Sequence, residues 1–178
     1  MPKDSIGSMQ AVLHAEGRGF DLFNKRTVST IHTSVKHIRW KERDLDSITF
    51  DAALNEGVLF ASFNSTNSFL NGSMQLDALL GKNKLDGSVM VRMDSADFNA
   101  LGFADTTFAA AFVLEGHVKS DLAQTHRFEA SVRDCYMQLE RYKVIPERID
   151  ILADTDPDSI RLDLVSGDLK MALRVGEG

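Results

Sequence analysis

The chain has 178 residues, 43% hydrophobic and 26% charged, a balance that fits one folded domain with a core and excludes a disordered polymer. Its formal net charge of −6 argues against nucleic acid, whose phosphates attract clustered Lys and Arg. A single cysteine, Cys135, excludes an internal disulfide and a thiol pair for a metal, and no segment reaches the ~18 apolar residues of a membrane-spanning helix.

In chain order, Met9 to Ala15 reads as a first strand, followed by the turn-rich Glu16-Gly17-Arg18-Gly19-Phe20. From Thr27 to Trp40 the residues Val28, Ile31, Val35 and Ile38 fall at helical spacing. Thr, Val and Ile crowd the stretch, however, and favour a strand. Its basic end, Lys36 to Arg43, alternates charged with apolar groups and reads as a solvated strand face with its turn. Lys41-Glu42-Arg43-Asp44 then turns the chain into a strand over Leu45–Leu54, which stops at Asn55-Glu56-Gly57. Val58 to Phe63 is apolar on both faces, and Asn64-Ser65-Thr66-Asn67 closes it.

Ser73–Leu79 and Ser88–Met93 follow as strands, and Ala96–Phe103 is the best candidate for a helical turn. Thr106–Val118, Arg127–Val132, Tyr136–Tyr142, Ile149–Ala153, Ser159–Leu164 and Asp168–Leu173 complete the predicted strands. The prolines, at positions 2, 146 and 157, all sit at predicted boundaries, where a missing N–H harms no ladder. Gly7-Ser8-Met9-Gln10 recurs as Gly72-Ser73-Met74-Gln75, each time opening a strand. The plan of strand, tight turn, strand excludes a parallel α/β sheet. It predicts an all-β, antiparallel meander over the whole of 1–178, a single β-rich segment.

Candidate chemistry is sparse. Asp154-Thr155-Asp156-Pro157-Asp158 places carboxylates like a calcium loop, but Ser159 stands where a Gly is needed and Val165 where a bidentate Glu is needed, leaving an acidic turn. His32 and His37 are five apart, wrong for a shared strand or helix face, and His14, His117 and His126 are scattered. Cys135 reads as a buried, inert thiol. No phosphate loop, nucleophile elbow or zinc spacing appears. We therefore expect no catalytic residue, no metal and no cofactor.

What remains is apolar faces at period two. Phe50, Ala52 and Leu54 form one; Phe108, Ala110, Phe112 and Leu114 another; Ile149, Ile151 and Ala153 a third. Ile160, Leu162 and Leu164, then Leu169, Met171 and Leu173, form two more. Two architectures fit: a β-sandwich pressing two such faces together, and a single sheet curled into a trough whose apolar interior takes an apolar ligand.

Several stretches carry a family resemblance. Ile31 to Trp40 leading into Asp44-Leu45-Asp46-Ser47-Ile48-Thr49-Phe50 looks like a strand, short turn and strand hairpin of the periplasmic β-rich region of TamB, in the AsmA-like family of envelope proteins. Glu56-Gly57-Val58-Leu59-Phe60 with Asn64 to Asn67, Asp97-Phe98-Asn99-Ala100-Leu101-Gly102-Phe103, and Ile149–Ala153 followed by Ile160 to Leu169 are similar to further elements of that region, in the same order. Gly167-Asp168 departs from it, standing where an apolar residue is expected.

The resemblance implies a U-shaped trough, or β-taco, in the periplasm of a diderm bacterium. The chain would be a segment of a longer protein anchored in the inner membrane. It implies that the trough conducts phospholipid acyl chains toward the outer membrane, with a partner of the TamA or BamA type there. Because an apolar trough does not stand empty in water, an isolated segment is expected to close on itself, dimerise, or retain lipid or detergent. On that reading Phe50, Ala52, Leu54, Phe108, Phe112, Leu114, Ile149, Ile151, Ile160, Leu162, Leu164, Leu169, Met171 and Leu173 line the groove. The alternative is an assembly module for outer-membrane proteins that works through sheet-edge contacts.

Overall fold

The computed structural model describes residues 6–19, 21–40 and 43–176; Pro2, Phe20, Lys41 and Glu42 of the turn expected from the sequence, and the terminal Glu177-Gly178 lie outside them. The strands are β1 (Ile6–Arg18), β2 (Val28–Trp40), β3 (Arg43–Leu45), β4 (Ile48–Asn55), β5 (Val58–Thr66), β6 (Leu70–Gly81), β7 (Lys84–Asp97), β8 (Phe108–Ser120), β9 (His126–Leu139), β10 (Tyr142–Val144), β11 (Ile149–Asp156), β12 (Ser159–Ser166) and β13 (Leu169–Gly176). The described residues contain no helix.

Short connections make sequence neighbours into antiparallel spatial neighbours. Eleven strands run across one sheet in the order β1-β2-β4-β5-β6-β7-β8-β9-β11-β12-β13, while β3 pairs with β2 and β10 with β9. The path ends at β1 and at β13, so the sheet is open. Every pair of elements in extensive contact is a hydrogen-bonded neighbour, so among the described residues no second layer packs on either face. The sandwich alternative fails for that reason, and the molecule is a single curled antiparallel sheet.

Left-handed residues set the turns. Glu56 (φ 51°) and Gly57 (φ 81°) occupy both central positions of the β4–β5 hairpin, the geometry whose twist matches the flanking strands. The strand expected over Leu45–Leu54 breaks into β3 and β4 at Ser47 (φ 55°). Arg127–Val132 and Tyr136 onward join into one strand, β9, because a bulge with Asp134 at φ 50° absorbs the irregularity between them. A hairpin with Glu140 at φ 51° then divides the predicted Tyr136–Tyr142 strand.

The helical turn expected over Ala96–Phe103 is strand through Asp97. Beyond it the chain makes one turn, in which the Leu101 N–H donates to the Asp97 carbonyl at 3.0 Å and the Ala100 N–H to its carboxylate at 2.9 Å. Of the stretch Thr27–Trp40, Val28–Trp40 is strand, as its β-branched content predicts.

Candidate functional site

Residues directly opposite one another in an antiparallel ladder share a face, so register assembles the apolar faces strand by strand. One row runs Ala15, Ile31, Ala52, Ala61, Leu76, Val89, Gly116, Ala130, Ile151, Leu164, Met171, across eleven strands without a polar residue. The next row on the same face contains Leu54, Leu59, Ala78, Gly87, Val118, Phe128, Ala153, Leu162 and Leu173. A third contains Phe50, Phe63, Met74, Val91, Leu114, Val132 and Ile149. Phe112 and Phe108 continue the face along β8, Ile160 along β12 and Leu169 along β13. All fourteen residues singled out from the sequence lie on this one face.

The sheet curls toward it. With no covering layer among the described residues, adjacent residues still differ sharply: Ala78 is 4% exposed and its neighbour Leu79, on the other face, 59%. Strand glycines lie at the tightest places of the apolar face. A Cβ on Gly87 would sit 2.7 Å from the Ala78 Cβ and 2.9 Å from the Asp77 carbonyl oxygen, and one on Gly116 would sit 2.9 Å from the Phe128 ring. Side chains on a concave face converge, and glycine relieves the crowding. The apolar face is most buried from β4 to β9, where Leu54 is 3%, Ala78 4% and Ala130 8% exposed, and shallow at its margins, where Leu13 is 68% and Leu169 72% exposed.

One end of the trough carries a small core of its own. Phe98, in the turn after β7, stacks on Phe108 with ring centroids 4.8 Å apart, while Ala96, Ala100, Leu101, Ala110 and Cys135 are buried around it. Burial pushes the Cys135 thiol pKa up. Ser65, which shares the face, is satisfied by donating to the Leu70 carbonyl at 2.5 Å.

The opposite face is a ladder of ion pairs. Arg133 meets Glu115 at 2.5 Å, His117 meets Asp86 at 2.9 Å and His32 meets Asp51 at 2.5 Å. Arg127 pairs with Glu129, Arg148 with Asp150, and Arg161 with Asp163. A cleft of about 670 Å³ opens here among Glu115, His117, Glu129, Ser131, Asp150 and Asp163. Its four carboxylates are each engaged by an arginine, so it is a neutralised surface rather than a pair of poised acids. Among the described residues no group of three or more His, Cys, Asp or Glu is placed to hold a metal ion.

The chain matches no family model, no curated protein and no solved structure. Its functional reading therefore rests on the two faces themselves.

Two features escaped the sequence reading. The centre of the apolar face, on β5, β6 and β7, was not among the groove residues. It carries the same alternation in Leu59-Ala61-Phe63, Met74-Leu76-Ala78 and Val89-Val91-Met93. The polar ladder also had a signal: Arg-x-Asp or Arg-x-Glu occurs at Arg92, Arg127, Arg148 and Arg161, a spacing that sets both charges on one side of a strand.

Proposed function

We propose that this chain is a non-enzymatic segment of cell-envelope biogenesis whose apolar trough holds and conducts phospholipid acyl chains. The observation that supports the reading is the unbroken apolar row from Ala15 to Met171 on a sheet over which none of the described residues packs a second layer. A monomeric soluble protein rarely exposes so continuous an apolar surface without a ligand or partner for it. Burial is worth about 0.8 kcal/mol per methylene, so an acyl chain of ~16 carbons gains roughly 12 kcal/mol if fully sheathed. Such a ligand needs no polar anchor along its length, and the row offers none. The resemblance to AsmA-like proteins adds the setting: the periplasm, an inner-membrane anchor elsewhere in a longer chain, and an outer-membrane partner of the TamA or BamA type.

A second reading, an assembly module acting through sheet edges, draws on β1. Its outer edge pairs with no other described strand, and Met9 to Leu13 presents no charge there. One experiment separates the two. Detergent-free protein is extracted with organic solvent and assayed for phospholipid by mass spectrometry. Stoichiometric phospholipid is expected from the trough. Lipid-free protein that is monomeric and unfolds cooperatively overturns it and leaves the edge reading in front.

A further inference from the structure

At the mouth of the β1–β2 hairpin three cations gather in one cleft outside the ladder of ion pairs. Arg92, Arg127, Arg133, Arg148, Arg161 and Arg174 each pair with a carboxylate. Arg18, Lys25 and Arg26 do not: they line a cleft of about 540 Å³ with Gly19, Val28, Asn55 and Glu56, and none has an ion pair with a described residue. Three cations against one carboxylate give this cleft a local excess of positive charge on a chain whose net charge is −6. Like charges held together repel, and a bound anion relieves that repulsion.

The cations are held in place by their loop. The Asp21 carboxylate accepts the Phe23 N–H at 3.0 Å, the Asn24 side-chain oxygen accepts the Arg26 N–H at 2.9 Å, and the Thr27 hydroxyl donates to the Asp21 carbonyl at 2.6 Å. Gly19, at φ 85°, passes so close to Thr27 that a Cβ would sit 2.6 Å from its hydroxyl oxygen. Lys25 and Arg26 are thus carried on a braced turn, opposite Arg18 at the end of β1. Asn55 adds an amide donor from β4. Arg18, Val28 and Asn55 are one residue along from Gly17, Ser29 and Leu54 of the apolar face, so by strand alternation they belong to the opposite face, and the cleft lies at the hairpin end of the sheet, beside the end of the trough.

We propose that the Arg18–Lys25–Arg26 cleft binds a phosphate group, monoester or diester. Guanidinium forks match phosphate oxygens in geometry as well as charge, and an ammonium adds a third contact. The phosphate has two possible sources, a phospholipid headgroup at the mouth of the trough or a soluble phosphate ester; only the first of these rests on the lipid reading above.

The test is calorimetric titration of the chain at low salt with glycerol 3-phosphate, which has no acyl chain and reports on the cleft whether or not the trough takes lipid. Saturable, salt-sensitive binding is expected, weakened at least tenfold in the double variant Arg18→Gln/Arg26→Gln. The control Lys82→Gln, on the neighbouring β6–β7 hairpin, is expected to bind as the parent does. Absence of saturable binding at millimolar ligand overturns the proposal, as does equal loss in the control. A parallel titration with dihexanoyl phosphatidylglycerol identifies the source. Binding at least tenfold tighter than that of glycerol 3-phosphate assigns the cleft to a lipid headgroup, and equal binding assigns it to a soluble ester.

Discussion

The ring of Phe128 on β9 occupies the space that a side chain at position 116 on β8 would need: a Cβ there would lie 2.9 Å from one ring carbon and 3.0 Å from another. The two residues are diagonal neighbours on adjacent strands of the concave side, Gly116 lying opposite Ala130 and Phe128 opposite Val118, and Gly116 is what leaves room for the aromatic ring there. Gly87 is the same device in harsher form, because its added Cβ would meet the Asp77 carbonyl oxygen at 2.9 Å, and backbone cannot swing aside as a ring can. Gly87→Ala is therefore expected to destabilise by about 1–3 kcal/mol, and Gly116→Ala by less. Urea denaturation of the two variants checks the order; equal midpoints with the parent would show that the curl does not depend on these glycines.

Asp121 organises the β8–β9 loop from one oxygen. Its carboxylate accepts the N–H groups of Ala123, Gln124 and Thr125, each at 2.9 Å, while Leu122 is held at φ 62°. The Thr125 N–H, followed by that of Ala123, lowers the Asp121 pKa to about 2. A depressed carboxylate pKa contributes order that is complete above the unfolded value near ~3.9 and is lost as pH falls toward the folded one. The amide signals of Ala123, Gln124 and Thr125 should shift together with a midpoint near pH 2, and Asp121→Asn should abolish that titration. A midpoint at the ordinary carboxylate value would sink the account.

Cys135 is 4% exposed, and desolvation of the thiolate raises its pKa from the ordinary value of 9.0. A raised pKa means that the folded state holds its proton longer. The contribution is full below the unfolded pKa and is lost as pH climbs through the folded one. At pH 8 the native thiol should resist a disulfide reagent for hours and react within minutes in denaturing urea. Rapid labelling of the native chain would show that the core around Phe98 and Phe108 opens readily.

Strand existence and the identity of the apolar face were legible in the sequence because alternation is a local property, and antiparallel hairpins convert it directly into a shared face. Phe108, Leu162 and Met171 could each be assigned a side from their neighbours alone. Long-range order was not legible in that way. Whether two apolar faces press together or one sheet curls depends on what β1 and β13 meet, and no window of ten residues contains that. Positions 47, 134 and 140 were misread because Ser, Asp and Glu there adopt left-handed backbone, which carries no signal like that of glycine. Val58 and Phe60 masked the groove's centre, since apolar residues on the polar face made β5 look two-sided. The phosphate cleft depends on three cations lacking partners, which only the full arrangement of charges reveals.

The decisive prediction for the trough compares two residues three apart on one strand. Leu162 lies on the concave face between Ala153 and Leu173, whereas Val165 lies on the ion-paired face opposite Asp150 and Lys170. Leu162→Ser and Val165→Ser each replace an aliphatic side chain by a hydroxyl on β12, so loss of strand propensity is comparable in both. Only the first removes apolar surface from the wall that would touch an acyl chain. Leu162 is partly exposed, so about half of the ~2 kcal/mol of a buried Leu is at stake, and bound phospholipid should fall about fivefold. Val165→Ser should retain the parent's lipid content. Both variants should keep the parent's circular dichroism spectrum, which separates lipid loss from unfolding. Equal lipid content in the two would mean that the concave face is not the surface that holds the chain.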